Sequence, residues 1–288
     1  MLEIILLLVA FVGSVLASYF DLKTTEIPDK IPYAMMIIGI AGNLIKSYLA
    51  WSYWPFLLSM IVGLGYLGFG FVMYFLGQWG GGDAKILSGI GFLLPSLPSQ
   101  FNTKDLFFPF PLSFFFNVFL IGAAYMIFYA LVISIINRKI WSIFLKDLKA
   151  NARMILIFNF LLILCLLVFG FFLVKYYNFL RMFDVMKLGV VVIFAWVGFF
   201  ILWKFVKVVE EIGFKKKIPI SELKVGDVPV DYKIWEGITE KELKKIKSSG
   251  KQQIWIKEGV RFAPAFPLAL IFTVLIGDGI VWFLKLYI

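Results

Sequence analysis

Residues Pro55–Gly77 read PFLLSMIVGLGYLGFGFVMYFLG, an apolar run without one charged side chain. About 20 such residues are what a helix needs to cross roughly 30 Å of hydrocarbon. Similar runs lie on either side, and together they make eight candidate membrane helices: 4–20, 31–51, 55–77, 86–101, 110–136, 154–174, 188–206 and 262–284. The fourth is short, rich in glycine and carries Pro95 and Pro98, so its far end is expected to be distorted. The first has the acidic Glu3 and no basic flank, so it reads as a retained helix rather than a cleaved signal peptide. Composition agrees. Of 288 residues 61% are hydrophobic and 16% charged, and the mean hydropathy is +0.92, whereas a soluble domain has about a quarter charged residues. The expected fold is an all-α polytopic membrane protein with about eight transmembrane helices (six to eight). A small cytoplasmic α+β segment precedes the last helix.

The residue inventory narrows the chemistry. There is no histidine, which excludes Ser-His-Asp triads, Cys-His dyads, histidine zinc sites and histidine-ligated haem. Cys165 is the one cysteine, so one chain forms no internal disulfide, four-cysteine zinc ribbon or iron–sulfur cluster. Carboxylates, lysines, hydroxyls and backbone remain.

Lysine and arginine counts orient the chain. With the N-terminus outside, segments 21–30, 78–85, 137–153 and 204–261 are cytoplasmic and hold 22 basic residues against six on the other side. Without the long last segment the counts are eight against six. Segment 209–260 mixes eleven lysines with nine acids, so it is no polybasic nucleic-acid arm, and no nucleic-acid partner is expected. Within it Thr239 and Glu242 form a capping-box signal, Glu240–Ser248 reads as a short helix ending at Gly250, and Lys224–Tyr232 and Gln252–Lys257 read as strands. About 50 residues make a weak independent core, so this piece is expected to lean on the membrane body or the headgroups.

Two carboxylates stand out by position. Asp21 ends the first apolar stretch, in Tyr19-Phe20-Asp21-Leu22-Lys23-Thr24-Thr25-Glu26-Ile27-Pro28-Asp29, and Asp83 opens the fourth, in Gly80-Gly81-Gly82-Asp83-Ala84-Lys85. Three helices separate them, so both fall on one membrane face. The glycines allow close approach of backbone and substrate and dihedrals that other residues avoid. The plainer reading of Asp83 is a helix-start residue stabilising the dipole, and of Asp21 a solvated helix end. For Lys23 and Lys85, each two residues after an aspartate, tuning of the pair or recognition of acidic substrate features competes with snorkelling to headgroups, which is the commoner role. Asp278 and Asp105 fall on the opposite side. Asn43, Asn117 and Asn159 are expected to hydrogen-bond between helices.

The glycine run ending in Asp83 resembles the G-x-G-D signature of membrane aspartyl proteases. Asp21 with the following Glu26-Ile27-Pro28-Asp29 resembles the type IV prepilin peptidase and archaeal preflagellin peptidase family, over residues 1–137. Gly259-Val260-Arg261-Phe262-Ala263-Pro264-Ala265-Phe266-Pro267 and Gly277-Asp278 are similar to its archaeal branch. By that resemblance Asp21 and Asp83 are the catalytic aspartates, supported by Gly80, Gly81, Gly82, Lys23 and Lys85. The implied activity is an aspartic endopeptidase that removes class III signal peptides from preflagellin (archaellin) or type IV prepilin-like precursors. It would sit in the cell membrane as a multi-pass protein, with its catalytic face cytoplasmic and the lipid bilayer as its other partner. No metal or organic cofactor is implied. The four-cysteine zinc segment and methyltransferase activity of the bacterial enzymes have no counterpart here, and the helix pair at 154–206 exceeds the six helices usual in the archaeal branch.

The expected organisation is a catalytic membrane domain at 1–137, an added helix pair with a basic loop at 138–208, the small cytoplasmic domain at 209–260 and a last transmembrane helix at 261–288. Two rivals share some features. A presenilin or signal-peptide-peptidase-like intramembrane protease has the G-x-G-D pattern, but there tyrosine directly precedes the first aspartate, where Phe20 stands here. A carboxylate-based ion-coupled transporter would place its acids near the midplane and show paired repeats.

Overall fold

The computed structural model describes residues 1–98, 101, 106–176, 182–230, 237–249, 252–257, 259–279 and 281–282. Its helices are α1 (Leu2–Thr24), α2 (Lys30–Leu49), α3 (Trp54–Phe75), α4 (Gly81–Leu93), α5 (Phe110–Ile136), α6 (Lys139–Tyr176), α7 (Met182–Gly213), α8 (Glu240–Lys247) and α9 (Ala265–Leu275). Three short strands, β1 (Lys215–Pro219), β2 (Val228–Pro229) and β3 (Gln253–Lys257), form one sheet in the order β1-β3-β2. β2 and β3 are antiparallel, with Val228 opposite Lys257. Among the described residues five helices are long and apolar enough to cross a membrane: α1, α3, α5, α6 and the Gly189–Gly213 part of α7. The chain is a polytopic helical membrane protein with a small α+β piece before its last helix.

Each of the eight apolar stretches holds a helix, but several have different ends from those expected: α6 begins at Lys139 rather than 154, α7 runs over Met182–Gly213 rather than 188–206, and the fourth and last differ as well. The fourth begins at Gly81, not Ile86, and stops at Leu93. It stops because Leu94 precedes Pro95 and leaves helical dihedrals (φ −126°, ψ 66°), as a residue before proline tends to. The carbonyls this exposes are taken up inside the bundle. Phe92 O accepts from Asn43 Nδ2 at 2.9 Å and from Ser59 Oγ at 2.6 Å. The last apolar stretch is not one helix over 262–284: α9 covers Ala265–Leu275, and Gly279, Val281 and Trp282 are helical again after a break. α9 ends before Gly277, whose φ of +92° suits glycine alone.

Contacts divide the chain into two units, Met1–Phe128 with Lys217–Ile288, and Tyr129–Lys216. In the first, α4 is the central helix, and every residue from Ile86 to Leu93 is buried. It packs on α3, α2 and α1 through small residues that let backbones approach, the usual helix interface in lipid. A Cβ on Gly70 would stand 2.7 Å from Ala84 Cα, and one on Gly39 would stand 2.6 Å from the Phe92 carbonyl carbon. Ser88 Oγ donates to Gly63 O at 2.8 Å. Away from the aspartates, Glu3 and Lys46 pair. Asn117 bridges to α9 through Thr273 Oγ1 and Gly277 O at 2.9 and 2.8 Å, whereas Asn159 donates to Ile155 O of its own helix. Asp278 accepts the N–H groups of Phe107 and Phe108.

The sheet and α8 enclose a small core of Ile218, Leu223, Ile238 and Ile256, onto which Leu243 and Ile246 pack. Thr239 and Glu242 form the capping box, and Ser248 ends the helix; Gly250 lies outside the described residues. The strand expected over Lys224–Tyr232 is only Val228–Pro229, because Gly226 turns the chain with φ +98°, and Asp231 and Tyr232 lie outside the described residues. β1 was not expected. Its lysines hide the alternation that marks a strand.

In the second unit α6 and α7 pair along their length. Stretch 139–153, expected as a loop, is helix, with Ile140 and Phe144 buried and Phe144 edge-on to Phe205. Lys204 and Asp147 pair at 3.0 Å.

Candidate active site

The inward face of α1 is a stripe of small residues. Ala10, Gly13, Ser14, Ala17 and Ser18 are buried, and Asp21 continues the stripe at helical spacing. The same packing that holds α1 in the bundle therefore turns Asp21 inward, where it is 5% exposed. The helix ends just beyond, at Thr25, a left-handed residue (φ 58°) whose N–H returns to Asp21 O at 2.9 Å. Asp83, in the first turn of α4, is 7% exposed. Each of these two buried carboxylates lies within the other's electrostatic reach. Asp21 is therefore no solvated helix end.

Their remaining contacts differ. Asp21 Oδ2 accepts the Ala263 N–H at 2.9 Å, from the segment leading into α9, and the Arg261 charge acts on the same carboxylate. Asp83 Oδ2 accepts the Gly80 N–H at 3.1 Å and so closes the start of its own helix. Asp83 Oδ1 is buried and has no hydrogen-bond partner among the described residues. One oxygen of Asp83 therefore does ordinary helix-start work, and the other takes no part in it.

The glycine run serves packing and not unusual dihedrals. Gly80 is extended (φ −74°), and Gly81 and Gly82 are already helical. A Cβ on Gly82 would meet the Ile27 side chain at 3.0 Å, so glycine there seats the start of α4 against the α1–α2 connection. Lys85 Nζ pairs with Asp29 at 2.6 Å and lies over the Tyr33 ring at 5.3 Å. This holds α4 to the start of α2, a contact that neither the tuning nor the headgroup reading of Lys85 contained. Asp29, placed as the helix cap of α2, makes no side-chain cap bond there. Lys23 is exposed and lies over Tyr19 of its own helix at 5.7 Å. Asp278 is held by the Phe107 and Phe108 amides, and Asp105 lies outside the described residues. Among the described residues no group of three or more histidine, cysteine, aspartate and glutamate side chains is placed to hold a metal.

The donor to Asp21 was missed in the sequence. Segment 259–267 stood out there, but a backbone N–H carries no residue-type signal, and 242 positions separate Ala263 from Asp21.

Comparison with known proteins adds to this geometry. The profile of the type IV leader peptidase family matches residues 8–131. The prepilin peptidase EppA of Methanothermobacter thermautotrophicus is 25% identical over 146 residues, 48% of this chain and 38% of that protein. A preflagellin peptidase of Methanocaldococcus jannaschii is 35% identical over 97 residues, 33% of this chain and 41% of that protein. A preflagellin peptidase of Methanococcus voltae is 33% identical over 116 residues, 38% of this chain and 49% of that protein. The chain thus spans less than half the length of the curated relatives it matches. Residues 8–131, which carry both Asp21 and Asp83, match the type IV leader peptidase family.

Proposed function

We propose that the protein is a membrane aspartic endopeptidase in which Asp21 and Asp83 form the catalytic dyad. Its substrates are preflagellin or type IV prepilin-like precursors, cut at the cytoplasmic membrane face. The observation that carries this reading is a pair of buried carboxylates on the packed helices α1 and α4, with the Asp21 charge acting on Asp83 and one Asp83 oxygen without a hydrogen-bond partner among the described residues. The family match over 8–131 supports it.

Two carboxylates that feel each other in a poorly solvated site do not both ionise at neutral pH, so the pair holds one proton. The ionised member takes a proton from water as that water attacks the scissile carbonyl. The protonated member donates to the carbonyl oxygen. The proton taken from water then passes to the departing amine as the C–N bond breaks, the diol hydroxyl returns the other proton to the dyad as the carbonyl re-forms, and the dyad is back in its single-proton state. The pair titrates as a unit, so neither step is tied to one aspartate. The Ala263 N–H fixes Asp21 in one orientation. The same end of α1 and α4 holds the 21–30 and 78–85 segments, which the basic-residue count places in the cytoplasm.

The test is cleavage of a precursor peptide by purified protein in detergent, with no ion gradient present. Cleavage separates a peptidase from a transporter, and failure to cleave across a panel of precursors counts against the reading. EDTA should leave the rate unchanged. Loss of activity with EDTA that zinc restores would remove the two-aspartate mechanism.

A further inference from the structure

The small sheet gathers basic charge where its strands leave for the membrane helices. β1 and β3 are neighbours, and the Ile220 N–H donates to Gln252 O at 3.1 Å. That bond joins the end of β1 to the beginning of β3, so the beginning of β1 and the end of β3 lie together at the opposite end. Lys257 ends β3 there, Lys217 is the middle residue of β1, and Lys215 and Lys216 precede Lys217 in sequence. From Lys257 the chain reaches Ala263 in six residues, about 20 Å at full extension, and Ala263 is bonded to Asp21 at the end of α1.

Alternation along the strands puts Ile218 and Ile256 on the face that α8 covers. Lys217, Gln253, Trp255 and Lys257 fall on the other face. There Lys217 and Gln253 are exposed, and Trp255 is 51% exposed. None of the three strands carries an aspartate or glutamate. Lysines near a bilayer are drawn to anionic phosphate, and tryptophan favours the depth of the headgroups.

We propose that this outer face of the sheet docks on the anionic headgroups of the membrane that the chain itself spans. Docking there steadies the segment 259–263, which carries Arg261 and the Ala263 donor. The proposal rests on the membrane-spanning fold and stands whether or not the protein is a peptidase.

The test uses full-length protein with Cys165→Ser and a spin label on Gln253→Cys, reconstituted in phosphatidylcholine vesicles with and without phosphatidylglycerol. The label should be shielded from a water-soluble nickel relaxant only in the anionic vesicles, and raising the salt should expose it. Lys217→Glu and Lys257→Glu should each weaken the shielding about fivefold, and the Lys→Arg pair should keep it. The salt titration of the charge-intact protein decides the matter even if the glutamate variants fail to insert. Equal exposure in both lipids overturns the proposal. So does shielding that arises only on adding a precursor peptide, which would make this face a protein-binding surface.

Discussion

Asp21 and Asp83 are each at most 7% exposed, and each accepts a backbone N–H, from Ala263 and from Gly80 respectively. Asp29, eight residues after Asp21, pairs instead with Lys85 across 56 positions and is 58% exposed in its side chain. An ion pair that open to water contributes about 0–1 kcal/mol, so Asp29→Asn should keep most of the activity and melt within a few degrees of the parent. The Ala263 N–H is different, because it is a buried donor to a carboxylate. Ala263→Pro removes it, and a hydrogen bond to a charged group contributes roughly 1.5–3 kcal/mol. Cleavage should therefore fall about tenfold to a hundredfold, measured as kcat/KM on a precursor peptide. An unchanged rate in a folded Ala263→Pro protein would show that Asp21 needs no orientation from this segment.

At the scale of elements, hydropathy placed a helix in every apolar stretch but misplaced the ends of several. The glycines at 80–82 looked like a loop, yet two of them already form the first turn of α4. The packing partner of Gly82, Ile27, is distant in sequence, so nothing local marked this turn as helical. The break at Gly277 was hidden by apolar residues on both sides of it, and only the Gly277-Asp278-Gly279 triplet hinted at it. Close packing of α3 on α4 gives a stability prediction. A Cβ on Gly70 would stand 2.7 Å from Ala84 Cα, whereas one on Gly68 would have nothing within 4 Å. Gly70→Val should destabilise the protein by about 1–3 kcal/mol, and Gly68→Ala should leave the detergent melting temperature nearly unchanged. Equal shifts in the two variants would mean that α4 is not seated on α3 in this way.

At the scale of the molecule, the proposed orientation, drawn from the basic-residue asymmetry, has the 204–261 segment in the cytoplasm together with the 21–30 and 78–85 segments. Lys245, exposed on α8, reports on this. In a Cys165→Ala background a cysteine at 245 should resist an impermeant maleimide in intact cells and react after lysis. Labelling from outside would reverse the orientation and move the aspartate pair to the other face. Unit 129–216 lies almost wholly beyond the family match, which ends at residue 131. The sequence sets an added helix pair apart at 138–208, and contacts delimit the unit as 129–216.

The central claim, that Asp21 and Asp83 act as one catalytic unit, is tested most directly by a precursor-cleavage gel at matched membrane levels. It compares Asp21→Asn, Asp83→Asn, the double variant and Asp29→Asn with the parent. Each of the first two should lose activity by about a thousandfold or more, and the double variant should be no worse than either alone, as for residues that work together. Asn keeps the size of the side chain, so all variants should still insert. Full activity in Asp21→Asn or in Asp83→Asn would contradict the claim, and an inactive Asp29→Asn beside an active Asp21→Asn would name Asp29 as the true partner of Asp83.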